Sequence, residues 1–150
     1  MRVTEEGPAR RPRVAEGADL ENRTLAVWRL CDPGEIEPAT LAEVERAVVG
    51  SALLLHHRRW PEALRGDPTA IVAAGVDVLQ DHPTGTPAFD LAMSGLLVHA
   101  ARGDATAALV LAHGLAALAH MHPRAEELLD RADRWSRRWP RRRPAPPTRG

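Results

Sequence analysis

The sequence predicts an all-α protein, and three observations carry that prediction. Apolar residues recur at helical rather than alternating spacing: Phe89, Met93, Leu96 and Ala100 follow one another by four, three and four, which keeps one face of a 3.6-residue helix apolar. Helix-starting devices repeat, with a side chain that can accept a backbone N–H followed at once by proline in Asp67-Pro68 and Thr86-Pro87. Finally, Ala105 to Met121 contains no Asp, Glu or Arg, so a helix there is apolar over most of its circumference and belongs at the centre of a bundle or in a membrane. The run falls short of the roughly 20 apolar residues that a membrane span needs, and it contains His113 and His120, so the bundle is preferred.

Five or six helices are expected, in an antiparallel bundle around an Ala/Leu-rich hairpin running from Pro87 to Pro123. Residues 1–17 mix Arg, Glu, Gly and Pro without apolar periodicity and are expected to be a disordered tail, because so little burial cannot offset the entropy of ordering. From Asp19 to Cys31, Leu20, Thr24, Val27 and Cys31 suit one helical face, although TLAVWRLC could also alternate as a strand; helix is favoured. Asp32-Pro33-Gly34 places Pro and Gly where a type II turn wants them. Thr40-Leu41-Ala42-Glu43 has capping-box spacing, which predicts a helix from Thr40 to about Arg59 with Leu41, Val44, Val48, Ala52 and Leu55 facing inward. Trp60-Pro61 breaks that run, and one further turn is expected before Gly66.

Asp67-Pro68 then opens a helix whose inward residues are Ile71, Val72, Val76 and Leu79, ending before Asp81. Thr86-Pro87 launches the hairpin, Gly103 stops its first helix in the left-handed region, and Asp104 caps the second. In that second helix Ala108, Leu111, Leu115 and Leu118 line one side, Val110, Ala117 and Met121 the other, and Ala108, Ala112 and Ala116 form a small-residue ridge for close helix approach or dimerisation. His122-Pro123 is expected to start the last helix, with Glu126 and Glu127 complementing its dipole and Leu128, Ala132, Trp135 and Trp139 continuing the core. The helical domain is thus 18–139, and 140–150 is a basic, Pro- and Arg-rich tail. Gly103-Asp104 followed by Ala108, with a proline closing the second helix, is similar to the helix-turn-helix of a tetratricopeptide unit; the likeness covers one helix pair and no second copy follows at a fixed period.

Composition narrows the function classes. The chain has 150 residues, 44% of them hydrophobic, which suits one domain with a sizeable core. Formal charge is zero, yet the last fifty residues carry ten arginines against five acids. Every cation among the Lys and Arg is Arg, which points to a compositional bias rather than to selection for guanidinium at each position. Cys31 is the single cysteine, which rules out an intramolecular disulfide and a multi-cysteine metal site. Charges in MRVTEEGPARRPRVAEGAD stand where a secretory signal needs an apolar core, so a cytoplasmic location is expected.

Candidate chemistry lies in two places. Asp81, His82, His120 and His122 would fall at one end of an antiparallel bundle, where carboxylate and imidazoles could hold a metal or run acid and base chemistry; as loop and cap residues they have a simpler explanation, which is preferred. Arg134, Arg137, Arg138, Arg141, Arg142 and Arg143, interleaved with two tryptophans and no acid, form an electrostatic footprint for nucleic acid or an acidic partner. No phosphate-binding glycine loop or nucleophile motif flanks Ser51, Ser94, Ser136 or Cys31. The expected function is therefore a small, non-enzymatic interaction or regulatory protein without a cofactor, with a protein partner or a second copy as well as possible nucleic-acid contact; a His-based metal binder or enzyme is the alternative.

Overall fold

A computed structural model describes residues 20–51 and 57–138, together with Pro147. Among the described residues the secondary structure is helical throughout, with no strand. Residues 20–25 are helical (α1), and the chain tightens into a 3-10 helix, η1 (Val27–Leu30), followed by α2 (Pro38–Gly50), α3 (Trp60–Leu64) and α4 (Pro68–Asp81). The hairpin follows as α5 (Pro87–Ala101) and α6 (Ala105–Ala119), and α7 (Ala125–Ser136) ends the described helices. The expected tails, 1–17 and most of 140–150, lie outside the described residues, as do Ala52, Leu55 and Trp139.

The hairpin holds the middle of the contact network: α5 touches η1, α2, α4 and α6, while α6 also touches α4 and α7. The reason is that it is apolar over most of its circumference, Asp90 and Ser94 being its buried polar residues. On α5, from Phe89 to Val98 every residue is buried, and α6 buries Ala107, Ala108, Val110, Leu111, Ala112, Leu115, Leu118 and Ala119. The local signals at its turn hold as well. Gly103 has a φ of +101°, which an L side chain rarely adopts, and the Asp104 carboxylate accepts the Ala107 N–H at 2.8 Å. Thr86 accepts from Phe89 N, and Asp67 accepts from both Thr69 N and Ala70 N.

Small residues set how closely the helices meet. A Cβ built on Gly75 of α4 would stand 2.6 Å from Leu96 of α5; one on Gly95 of α5 would stand 2.5 Å from Ile71; one on Gly114 of α6 would stand 2.3 Å from Met93. The alanine ridge is largely used inside the chain, with Ala108 and Ala112 buried and Ala116 exposed.

Several expectations are corrected. The helix assigned to Thr40 begins two residues earlier at Pro38, where proline at the first helical position presets φ, and Thr40 lies within it and makes no capping bond. It ends at Gly50, not near Arg59. On α4, Val76 is exposed and Val78 occupies the core instead, because the buried stripe follows Ala70, Ile71, Ala74, Gly75 and Val78. That helix also includes Asp81. Met121 is 87% exposed, since α6 ends at Ala119, and α7 starts at Ala125 rather than at Pro123. Of the segment 19–31, residues 20–25 and Val27–Leu30 are helical, as favoured, but as α1 and η1 rather than one α-helix, and Cys31 is extended.

Candidate functional site

Among the described residues, polar side chains are tied together most densely where η1 and the following turn cross α5 and α7. Trp28 is fully buried with its ring tilted at 48° to Phe89, and its indole N–H donates to Asp90 Oδ1 at 2.9 Å. Asp90 is 9% exposed on the first turn of α5, and Arg29 grips both its oxygens through Nη2, at 2.7 and 2.8 Å. One helical turn on, the fully buried Ser94 hydroxyl donates to the Leu25 carbonyl at 2.7 Å. These bonds give the buried indole N–H, carboxylate and hydroxyl each a partner.

The other side of the segment is tied to α7. Asp32-Pro33-Gly34 forms the expected turn, with Gly34 at a φ of +81° and Glu35 N donating to Asp32 O. The Asp32 carboxylate receives Arg134 Nη2 at 2.7 Å and Arg131 Nε at 3.2 Å. Burial pushes this carboxyl up, but the hydrogen bond from Arg134 and the charges of Arg131 and Arg134 outweigh it and hold it below the usual carboxylate range. Arg131 Nη1 also donates to the Arg29 carbonyl at 2.7 Å, and Trp135 Nε1 to the Cys31 carbonyl at 2.9 Å.

This geometry decides how the candidate arginines stand. Arg134 is occupied by Asp32, Arg137 pairs with Asp133 one turn earlier, and Arg138 lies 5.8 Å over the Trp135 ring. Arg137 and Arg138 are exposed. Trp135 is fully buried, so its ring is a core element rather than a stacking platform. Arg141, Arg142 and Arg143 lie outside the described residues. Asp32, Asp90, Arg29 and Arg131 were not singled out from sequence; Asp32 read as a turn former, and nothing local marks a partner about a hundred residues away.

The histidine cluster is not assembled. Among the described residues no three or more His, Cys, Asp or Glu side chains form a group that could hold a metal ion, so Asp81, His82, His120 and His122 are not gathered into a ligand set. Asp81, His82 and His120 are exposed, and His122 Nδ1 accepts the Arg124 N–H at 3.0 Å, a cap on the turn before α7. His57 is likewise employed at both ring nitrogens: Nδ1 accepts from Arg59 N, so Nε2 carries the proton and donates to Asp77 at 2.5 Å. An imidazole bonded at both nitrogens is a structural link between α4 and the segment before α3.

The side chains that could act as nucleophiles are also placed. Ser94 is sealed against Leu25 and Ser136 donates to Asp133 O. Cys31 donates to Val27 O at 3.3 Å, and burial pushes its thiol up, with Arg131 opposing and Asp32 assisting. No described helix is long and apolar enough to cross a membrane. No protein-family model matches the chain, and comparison with curated proteins and with solved structures finds no match either.

Proposed function

We propose that this chain is a small, non-enzymatic helical interaction protein of regulatory type, built as an antiparallel bundle around the α5–α6 hairpin. It contacts nucleic acid or an acidic partner through the arginines at and beyond the end of α7, from a cytoplasmic location. The observation that carries this reading is the anchoring of α7. Arg131, Arg134 and Trp135 tie its last turns to Asp32 and Cys31, and Arg137 and Arg138 stand exposed just before the run Arg141, Arg142, Arg143. A fixed helix end that leads into arginines without intervening acids concentrates positive charge at one place, which favours polyanions. On this reading Arg134, held with Arg131 on Asp32, serves mainly the fold, and Arg137 and Arg138 with the following arginines serve contact.

The test is binding of the full chain and of a version ending at Trp139 to generic duplex and single-stranded nucleic acid across a salt series. The full chain is expected to bind at low salt, with the slope of log affinity against log salt falling by about 0.9 for each duplex phosphate contact removed with the truncation. Equal binding by the two versions, or none by either, sinks the tail as the contact.

A further inference from the structure

A cleft lies on the face where η1 meets α7 and the turn before it. Ala26, Arg29, Leu30, His122, Arg124, Glu127, Leu128 and Arg131 line a cleft of about 310 Å³ there. That volume is at the small end of the roughly 300–1,000 Å³ typical of ligand clefts, which combine apolar walls with a few convergent polar groups. Here the apolar wall is Leu128, Ala26 and Leu30, the last 69% exposed.

The polar groups are almost all donors. Arg29 uses Nε and Nη2 on Asp90, and Arg131 uses Nε and Nη1 on Asp32 and the Arg29 carbonyl, so each keeps one guanidinium nitrogen without a bond to the described residues. His122 accepts through Nδ1, which places its proton on Nε2. Arg124 is 69% exposed, and its partner Glu127 is 3.8 Å away in a solvent-facing pair of the kind that contributes little. Arg131 shares the single carboxylate of Asp32 with Arg134, and Arg124 has only its loose, solvent-facing pair with Glu127.

We propose that this cleft binds a small monocarboxylate carrying an apolar body, the carboxylate against the guanidinium groups and the body against Leu30 and Leu128. A guanidinium fork matches a carboxylate in shape as well as charge, and water displaced from Leu30 adds to the gain. The site does not depend on the arginines beyond α7, so its success or failure is separate from that of the proposed tail contact.

The experiment is titration of the full chain with octanoate, followed by calorimetry and by backbone amide shifts, against two probes that each lack one feature: octylamine keeps the body and reverses the charge, and acetate keeps the charge without the body. Octanoate is expected to bind saturably with shifts centred on Ala26, Leu30 and Leu128, and the other two at least about tenfold more weakly. Leu30→Glu and Arg124→Ala, both at exposed positions, should each weaken octanoate by about tenfold with an unchanged melting temperature. Octylamine binding as well as octanoate, shifts away from the cleft, or affinity unaltered in both variants would overturn the proposal, as would no saturable octanoate binding.

Discussion

The buried carboxylate of Asp90 is the residue on which the crossing of η1 and α5 depends. It satisfies the Trp28 indole and neutralises Arg29 at once, and both partners are brought to it from about sixty residues away in the chain. Removing it leaves a buried N–H and a partly buried guanidinium without an acceptor, and unpairing a buried charge costs about 3–5 kcal/mol. Asp90→Ala should therefore lower the urea midpoint by an amount corresponding to about 3 kcal/mol, because Arg29 retains some solvent. Asp90→Asn should cost less, since its amide oxygen still accepts from Trp28. The pair is separated by a double-mutant cycle with Arg29→Met, and additive losses would mean that the bidentate contact contributes nothing. None of this was legible in the sequence. Asp90 there is a carboxylate in the first turn of a helix, a common and sufficient role, and its true partners are fixed by the tertiary fold.

Elements were more legible where their signals are local. Asp67-Pro68 and Thr86-Pro87 start helices as their chemistry requires, because the cap and the proline act within four residues of each other. Thr40 and Glu43 failed for an equally local reason: Pro38 starts the same helix two residues sooner and places Thr40 inside it. Helical periodicity found the core faces of α5 and α7 but misjudged Val76, since the buried stripe of α4 runs through Ala70, Ile71, Ala74, Gly75 and Val78, with Gly75 against Leu96. The glycines make a prediction of opposite signs for one substitution. Gly→Ala in a helix gains about 1 kcal/mol in propensity, whereas overpacking a filled core costs about 1–3 kcal/mol. Gly50→Ala has nothing within 4 Å and should be neutral or slightly stabilising. Gly95→Ala would press on Ile71 Cδ1 and Cγ1, at 2.5 and 3.1 Å, and the β-branched side chain has few rotamers to retreat into. Its midpoint should fall, and a Gly95→Ala protein as stable as the parent would show that α4 and α5 can separate slightly.

At the scale of the whole molecule, two titrating groups, one on α5 and one in the turn after η1, make stability depend on pH in two windows. His99 is half-buried near the end of α5, where desolvation pushes its imidazole below the ordinary value and Arg102 adds to that; Asp104, Glu45 and Asp67 oppose it. The folded state thus resists protonation, so its contribution is complete above the unfolded value of about 6.5 and is lost as pH falls through the lower folded value. Asp32 works in the same direction at more acid pH. Its folded carboxyl is held below the ordinary value, so the stability it adds through Arg131 and Arg134 is complete above about 3.9 and is lost as pH falls through the folded value. Urea midpoints measured from neutral pH down to about 3 should therefore decline in two steps. His99→Gln should flatten the first step and leave the second. Asp32→Asn should flatten the second and lower stability at neutral pH, because Arg131 and Arg134 lose the charge that ties α7 to the turn after η1. If the His99 variant keeps the parent's slope just below neutrality, desolvation at the Arg102 end of α5 is not what couples folding to pH; if Asp32→Asn leaves the neutral midpoint unmoved, the anchoring of α7 rests on Trp135 and the Arg131 backbone contact alone.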